Sequence, residues 1–295
     1  MEGQSPRRSG RGTSGEEEVS DHVIYAELLV QGCTAELYVN GVPLRRRRSG
    51  GAPLPGSSAG PFASIPVQQY LVPGDNRIEI LIEPGPTPRR AREPESSMRR
   101  MPGAAAVARV VRFEEGAFVD SENGEILAEV KWEGAADEDE AFPKSAGVTA
   151  ALGARSGRWS WQDAPPITLD DATGAEIAHV LGTVAQAFER GDPAPVLALL
   201  KTRFDEGIRA YPRNDSETLT KELSNYVRDA AADKWKVRSL DPGAFDFRLC
   251  AGDRLVELVD RDWQPSLRFE VPEEDEPYGY PMMLARIDGR LAVVR

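Results

Sequence analysis

The sequence contains few of the side chains that most often carry out chemistry in enzymes. Among its 295 residues there are two cysteines, Cys33 and Cys250, and two histidines, His22 and His179. The cysteines are far apart and form no Cys-x-x-Cys pair, which argues against zinc and dithiol redox motifs. Each cysteine lies in an apolar, strand-like run, where we expect a small buried side chain. We therefore predict neither a metal site nor a cofactor.

Common catalytic motifs and long apolar runs are also missing. The sequence has no Gly-x-Ser-x-Gly, no phosphate-binding glycine loop, no His-Glu-x-x-His and no dinucleotide-binding fingerprint. No apolar run approaches the roughly 20 residues of a membrane helix. The first ten residues lack the apolar stretch of a secretory signal. We expect a cytoplasmic protein without a membrane partner.

The charge of the chain is strongly negative and unevenly distributed. Residues 1–100 hold 13 Arg against 12 Asp and Glu, a balance of +1. Because the whole chain has a net charge of −12, residues 101–295 have a net charge of −13. An acidic surface repels phosphate backbones, which argues against a nucleic-acid partner. The acidic runs 137–140 and 273–276 lack the spacing of a calcium loop and indicate solvated charge.

The two arginine-rich segments, 45–48 and 89–100, are not assigned a role by the sequence. The first adjoins a Gly/Ser/Pro stretch and lacks interleaved aromatic residues. This context favours a solvated loop that steers an acidic partner over a phosphate site.

The first half of the chain has the pattern of an all-β domain. Residues 1–20 have almost nothing to bury and are predicted to be a disordered tail. From residue 22 onward, β-branched and aromatic runs alternate with turn signals such as Asn40-Gly41. The predicted strands are 22–30, 35–39, 67–72, 77–82, 107–114 and 125–132. We place this domain at residues 21–163.

After Pro166 the apolar period changes from 2 to about 3.6 residues, which indicates helices. Three helices are predicted, and about five antiparallel strands follow them up to residue 294. Residues 164–295 are therefore assigned to an α+β domain, with the helices packed on a curved sheet.

Two segments of the first half resemble a known family. Ala35-Glu-Leu-Tyr-Val-Asn-Gly41 is a strand ending in Asn-Gly, and residues 70–80 have a Pro-Gly-x-Asn turn between two strands. Both are similar to the sugar-binding, galactose-binding-like domain of family-two glycoside hydrolases. The resemblance implies a jelly-roll-like β-sandwich, although no catalytic barrel follows here.

The second half resembles SnoaL and nuclear-transport-factor-type domains. The features that match are the first predicted helix, the junction at 190–200 and the closing hairpin at 285–294. Enzymes of the SnoaL type use an Asp–His or similar pair in a sheet-lined cone for proton transfer. The resemblance therefore makes His179, with Asp246 or Glu257 opposite, the candidate catalytic group. The alternative is a structural or surface histidine.

Four aromatic residues are candidate binding residues. Trp159 and Trp161, two positions apart on a predicted strand, would share one face and either stack on a sugar or pack between the domains. Tyr278 and Tyr280 lie in a predicted turn between strands, which suits a protein interface.

These observations favour a non-catalytic binding protein of bacterial type, which recognises another protein in an adaptor or immunity-like role. Two alternatives stay open. One is a small-molecule enzyme or ligand binder that uses the C-terminal cone. The other is a carbohydrate-binding module that uses the N-terminal sandwich.

Overall fold

The computed structural model describes residues 22–31, 33–45, 62–84, 103–114, 116, 123–134, 143–153, 157–211, 215–238, 245–260, 264–272, 274 and 277–295. The predicted tail 1–20, the arginine runs 46–48 and 89–100, and the acidic run 137–140 lie outside these residues. Of the acidic run 273–276, only Glu274 is described.

Within these described ranges the architecture is mixed, with open antiparallel sheets and four α-helices. Eight strands come before the first helix: β1 (His22–Gln31), β2 (Cys33–Val39), β3 (Val42–Arg45), β4 (Phe62–Pro66), β5 (Asp75–Pro84), β6 (Ala105–Glu114), β7 (Glu125–Glu133) and β8 (Lys144–Ala151). They form two four-stranded sheets, in the orders β4-β1-β6-β7 and β3-β2-β5-β8. A 3₁₀ turn at Gln68–Tyr70 connects β4 and β5.

Side chains from both sheets share one hydrophobic core. On β6, for example, burial alternates along the strand, as expected for a strand with one face on a core. Three buried isoleucines of β5, Ile78, Ile80 and Ile82, lie beside Val39, Leu37 and Ala35 of β2 in the same cluster. The expected β-rich first half is thus present, with β3, β4 and β8 as strands that the sequence did not predict.

The predicted turn at Asn40-Gly41 is a two-residue hairpin between β2 and β3. Asn40 has φ 53° and Gly41 has φ 75°, the left-handed conformation at both positions that a type I′ turn requires. The Asn40 amide donates to the Asn76 side chain at 2.8 Å, so the turn is attached to the start of β5.

The four helices are α1 (Ser160–Asp163), α2 (Asp171–Arg190), α3 (Ala194–Ala210) and α4 (Ser216–Ala232). Asp170 caps α2 by accepting from the Thr173 N–H at 2.8 Å, and Asp215 caps α4 in the same way from Thr218 at 2.7 Å. The three long helices agree with the prediction.

Seven strands follow: β9 (Lys236–Val237), β10 (Arg248–Cys250), β11 (Leu255–Glu257), β12 (Leu267–Glu270), β13 (Tyr278–Tyr280), β14 (Met283–Ile287) and β15 (Arg290–Val293). They form two sheets, in the orders β10-β11-β14-β15 and β13-β12-β9, so the expectation of one curved sheet is corrected to two. The helices and both sheets share a second core that includes Ile177, Phe188 and Phe269.

Three local predictions were wrong. Residues 67–72 are not a strand, because the Tyr70 N–H donates to the Val67 carbonyl at 2.8 Å and closes the 3₁₀ turn at Gln68–Tyr70. Trp159 and Trp161 do not lie on a strand, because the Gln162 side chain accepts from the Trp159 N–H at 2.7 Å and stabilises the single turn α1. Tyr278 and Tyr280 lie on β13 rather than in a turn, since they pair with Phe269 and Leu267 of β12. The glycine between the tyrosines and the flanking prolines gave the segment its turn-like pattern.

A third hydrophobic cluster joins residues from both ends of the chain. Its buried members are Val42, Trp159, Trp161, Ala164, Ala210, Ala251, Leu255, Met283, Ala285 and Val294. The Ala251 N–H also donates to the Gly41 carbonyl at 3.0 Å, which connects the β2–β3 hairpin to the turn after β10. We call this region the joint.

Candidate functional site

The predicted catalytic residues are not assembled around a histidine. His179 is exposed on α2, outside the buried stripe of that helix. Glu257 is fully buried on β11, and Asp246 is half-buried, with its N–H donating to the Val259 carbonyl at 2.9 Å. The exposed side chain of His179 therefore does not face the buried position of Glu257.

No group of three or more His, Cys, Asp or Glu side chains that could hold a metal ion is found within the described part of the chain. Cys33 and Cys250 are both free thiols. Cys33 is buried as predicted, and burial raises the pKa of its thiol to about 12, whereas Cys250 is only half-buried.

The two tryptophans are part of the joint. Trp159 is 0% exposed and Trp161 is 5% exposed, so neither ring has a free face for a sugar. The Trp159 indole N–H donates to the Leu71 carbonyl at 2.6 Å. The guanidinium of Arg209 lies 4.5 Å from the Trp159 ring centroid, and that of Arg295 lies 5.3 Å from it. These distances suit cation–π contacts, and Trp159 is therefore a packing residue.

Arg295 adds a buried polar connection to the joint. It forms an ion pair with Glu206 of α3, and it donates to the Gln69 carbonyl at 2.6 Å. Glu206 also accepts from the Ser160 N–H at 2.6 Å. The Glu206 carboxylate thus connects the start of α1 and helix α3 to Arg295, two residues beyond β15.

A second buried polar cluster connects β10 to β2. Arg248 donates to the Tyr38 hydroxyl at 2.7 Å and to the Glu36 carboxylate at 3.2 Å, and Tyr38 also donates to Glu36. Glu257 is 3.9 Å from the Arg248 Nε. Burial, followed by the charge of Glu36, raises the pKa of Tyr38. Burial also acts to lower the pKa of Arg248, but Glu36 and Tyr38 outweigh it and raise that pKa.

Aromatic rings cluster around Tyr278 of β13 and Trp235, which directly precedes β9 on the opposite edge of the same three-stranded sheet. Tyr278 is 41% exposed, and its ring centroid lies 5.6 Å from that of Trp235 and 5.9 Å from that of Tyr226. Tyr280 is half-buried against Phe188 at 5.7 Å. Burial raises the pKa of both Tyr226 and Tyr280. We use "aromatic patch" for Tyr278, the exposed member of this cluster, together with Trp235.

A cleft of about 510 Å³ adjoins the aromatic patch. Its lining residues are Lys234, Lys236, Arg238, Glu270, Val271, Pro272, Glu274 and Pro277. Trp235 is between two of its lysines in the chain, and Tyr278 follows its Pro277. We call this feature the cationic cleft.

Sequence reasoning found Tyr278 but missed Trp235, the cationic cleft and the Arg248 cluster. A signal for the cleft does exist, because Lys234-Trp-Lys-Val-Arg238 places cations at alternate positions. The Arg248 cluster has no comparable signal, since its members come from three separate strands.

Comparison with known proteins yields no match, whether to a family model, a curated protein or a solved structure. Among the helices that the structure describes, none has the length and apolar character needed to cross a membrane. The candidate site therefore has to be judged on its own geometry.

Proposed function

We propose that this protein binds another protein, in an adaptor-like or immunity-like role, through a surface centred on the aromatic patch. The proposal assigns recognition, rather than a reaction, to Tyr278, Trp235 and the adjoining cationic cleft. It is consistent with the expectation for Tyr278 and Tyr280, and it adds Trp235, whose ring centroid lies 5.6 Å from that of Tyr278.

One observation carries the proposal: Tyr278 is exposed although neighbouring rings hold it in place. Its exposed fraction is 41%, and the rings of Trp235 and Tyr226 contact it from within the protein. An aromatic side chain that is already fixed loses little conformational entropy on binding and offers a large contact area. Tyr, Trp and Arg are also enriched among the residues that dominate interface energies.

The two alternatives receive less support from the geometry. A small-molecule enzyme would need an open cone between the helices and the sheets, but Phe188, Phe269 and Leu284 are buried together in that space. A carbohydrate-binding module would need an accessible aromatic face, but Trp159 and Trp161 are in the buried joint.

The proposed architecture has two domains, divided near residue 163. In this proposal the two N-terminal sheets form a jelly-roll-like sandwich of the galactose-binding type, and the C-terminal part is a SnoaL-like α+β domain. The separate cores of the two parts support the division. In this proposal the joint is where the two domains pack together.

The test is co-purification of the tagged full-length protein from its own cells, followed by mass spectrometry. Tyr278→Ala removes the exposed ring. The matched control is Ile126→Ala, which removes another exposed hydrophobic side chain, 47% accessible, from β7 in the N-terminal sheets.

We expect one protein to co-purify in a fixed ratio with the wild type and with Ile126→Ala. Its recovery should fall about tenfold with Tyr278→Ala, the loss expected for an interface hot spot. Equal recovery with both variants would overturn the proposed surface, and recovery of the protein alone in every case would overturn the proposed function.

A further inference from the structure

We infer that the cationic cleft holds an acidic segment of the protein partner. This inference rests on the proposed function, since the cleft adjoins the aromatic patch, and it adds the chemistry of the partner. The occupant is an extended peptide segment with carboxylate side chains at alternate positions.

Two cations of the cleft lie at alternate positions on an extended segment. Lys236 and Arg238 flank Val237 on the extended chain at β9, so their side chains point to the same side of the sheet. Val237 points the opposite way and packs against the C-terminal core. Lys234, in the turn after α4 with φ 61°, also lines the cleft and brings its exposed cations to three. Lys236 and Arg238 are two residues apart on the extended segment. An extended peptide has the same side-chain spacing.

The three cations of the cleft are available to pair with carboxylates of a partner. In the described part of the chain, none of the three is within 4.0 Å of a carboxylate oxygen in an ion pair. Many other exposed cations are paired, as Arg112 is with Glu125. The described residues thus place three cations without an ion pair in one cleft of a chain whose net charge is −12. They complement a carboxylate-bearing partner and draw it toward the aromatic patch.

The composition of the cleft decides between a peptide and a phosphate backbone. Glu270 and Glu274 line the same cleft, and Glu270 is directly opposite Lys236 in the sheet. A nucleic acid carries a negative charge on every unit and would meet these carboxylates. A peptide can place carboxylates near the cations and neutral residues near Glu270 and Glu274.

Recognition through side chains fits the position of β9 better than addition of a strand. β9 is at the edge of its sheet, and lysine on an edge strand discourages pairing with another strand. Val271, Pro272 and Pro277 supply apolar contact surface for the peptide in the same cleft.

The experiment measures binding of a fluorescein-labelled Glu-Ser repeat peptide to the full-length protein by fluorescence anisotropy at low salt. A Lys-Ser repeat and a labelled oligothymidylate are the comparison probes. The triple variant Lys234→Ala, Lys236→Ala, Arg238→Ala removes the cationic wall. The control triple variant Lys221→Ala, Arg228→Ala, Arg290→Ala removes three exposed cations elsewhere, so both variants have a net charge of −15 instead of −12.

We expect the Glu-Ser peptide to bind the wild type and the control variant within about twofold of each other, and the cleft variant about tenfold more weakly. Equal weakening in both variants would show only a general charge effect and would overturn the inference. Tighter binding of oligothymidylate, lost in the cleft variant, would reassign the cleft to phosphate backbones.

The failure of this inference is distinguishable from failure of the proposed function. If the cleft variant still co-purifies the Tyr278-dependent partner at the wild-type level, the partner uses the aromatic patch without the cationic cleft. The inference is then wrong and the proposed function stands.

Discussion

Arg248 and Tyr38 are 210 positions apart in the chain, and the Arg248 Nη2 lies 2.7 Å from the Tyr38 hydroxyl. The same guanidinium contacts Glu36, whose side chain is 1% exposed. A buried carboxylate needs such a partner, because removing one member of a buried pair leaves an uncompensated charge. Arg248 thus connects the C-terminal sheets to β2.

Arg248→Met should destabilise the protein by about 3 kcal/mol, because Glu36 loses its cation in a buried position. The measurement is the free energy of unfolding in urea. The double variant Arg248→Met, Glu36→Gln should recover part of this loss, because the orphaned charge is then absent. Arg112→Met is the control: it breaks an exposed ion pair with Glu125 and should cost less than about 1 kcal/mol. Equal losses for Arg248→Met and Arg112→Met would contradict the buried role.

Gly41→Ala tests the contact between the β2–β3 hairpin and the joint. A Cβ on Gly41 would lie 3.2 Å from the Ala251 Cα, and the backbone has φ 75° there. The control is Gly74→Ala, where φ is 84° but no atom lies within 4 Å of the added Cβ. In both variants an alanine in the left-handed conformation costs about 1–2 kcal/mol of stability. Only in Gly41→Ala does the added Cβ also crowd a backbone atom, the Ala251 Cα. In urea unfolding, Gly41→Ala should be clearly the less stable of the two. Equal free energies of unfolding for the two variants would mean that the hairpin shifts away from Ala251 without loss of stability.

The Asn40-Gly41 turn shows how much of this fold could be predicted from sequence. The turn was predictable because its signal is local, and two residues decide a type I′ conformation. Its contact with Ala251 was not, since no local pattern relates positions 210 residues apart. The three long helices were predictable for the same local reason, through their apolar stripes and their starts, which are Asp caps for α2 and α4 and Pro193 for α3.

The candidate site was predictable only where a single residue gave the signal. Tyr278 was identified, but its strand β13 depends on pairing with β12, which the glycine and prolines around it concealed. The burial of Trp159 is a tertiary effect, because its ring is enclosed by Leu71, Arg209 and Arg295 from three other parts of the chain.

The helix caps predict how stability depends on pH. Hydrogen bonds from Thr173 lower the pKa of Asp170, and hydrogen bonds from Thr218 lower the pKa of Asp215. Because the folded pKa values are below the unfolded ones, the caps stabilise the protein above pH ~4, and this contribution is lost as the pH falls through the folded values. Asp215→Ala should therefore be less stable than the wild type at neutral pH, and the difference should shrink in acid.

Thermal unfolding between neutral and acidic pH measures this difference. Asp215→Asn is the matched control, because asparagine also caps helices but does not titrate. It should keep most of the stability at neutral pH and lose less of it in acid. If the gap between Asp215→Ala and the wild type stayed constant with pH, the ionised cap would have no part in stability.

The two cysteines should differ sharply in reactivity. Burial raises the pKa of the Cys33 thiol to about 12, so the neutral thiol strongly predominates at neutral pH. Its Sγ also lies 3.5 Å from the Ala105 carbonyl oxygen, within the N-terminal core. Cys250 is half-buried on β10 and more accessible to a reagent.

Titration of the native protein with a thiol-specific disulfide reagent should therefore show one faster thiol, and denaturant should release the second. Cys250→Ser should remove the fast phase, and Cys33→Ser should keep it. This pair also reports on the N-terminal core, because the thiolate is the reactive form and Cys33 can form it readily only when the core opens. Fast modification of Cys33 in the Cys250→Ser variant, without denaturant, would mean that the core between the two N-terminal sheets opens on the timescale of the reaction.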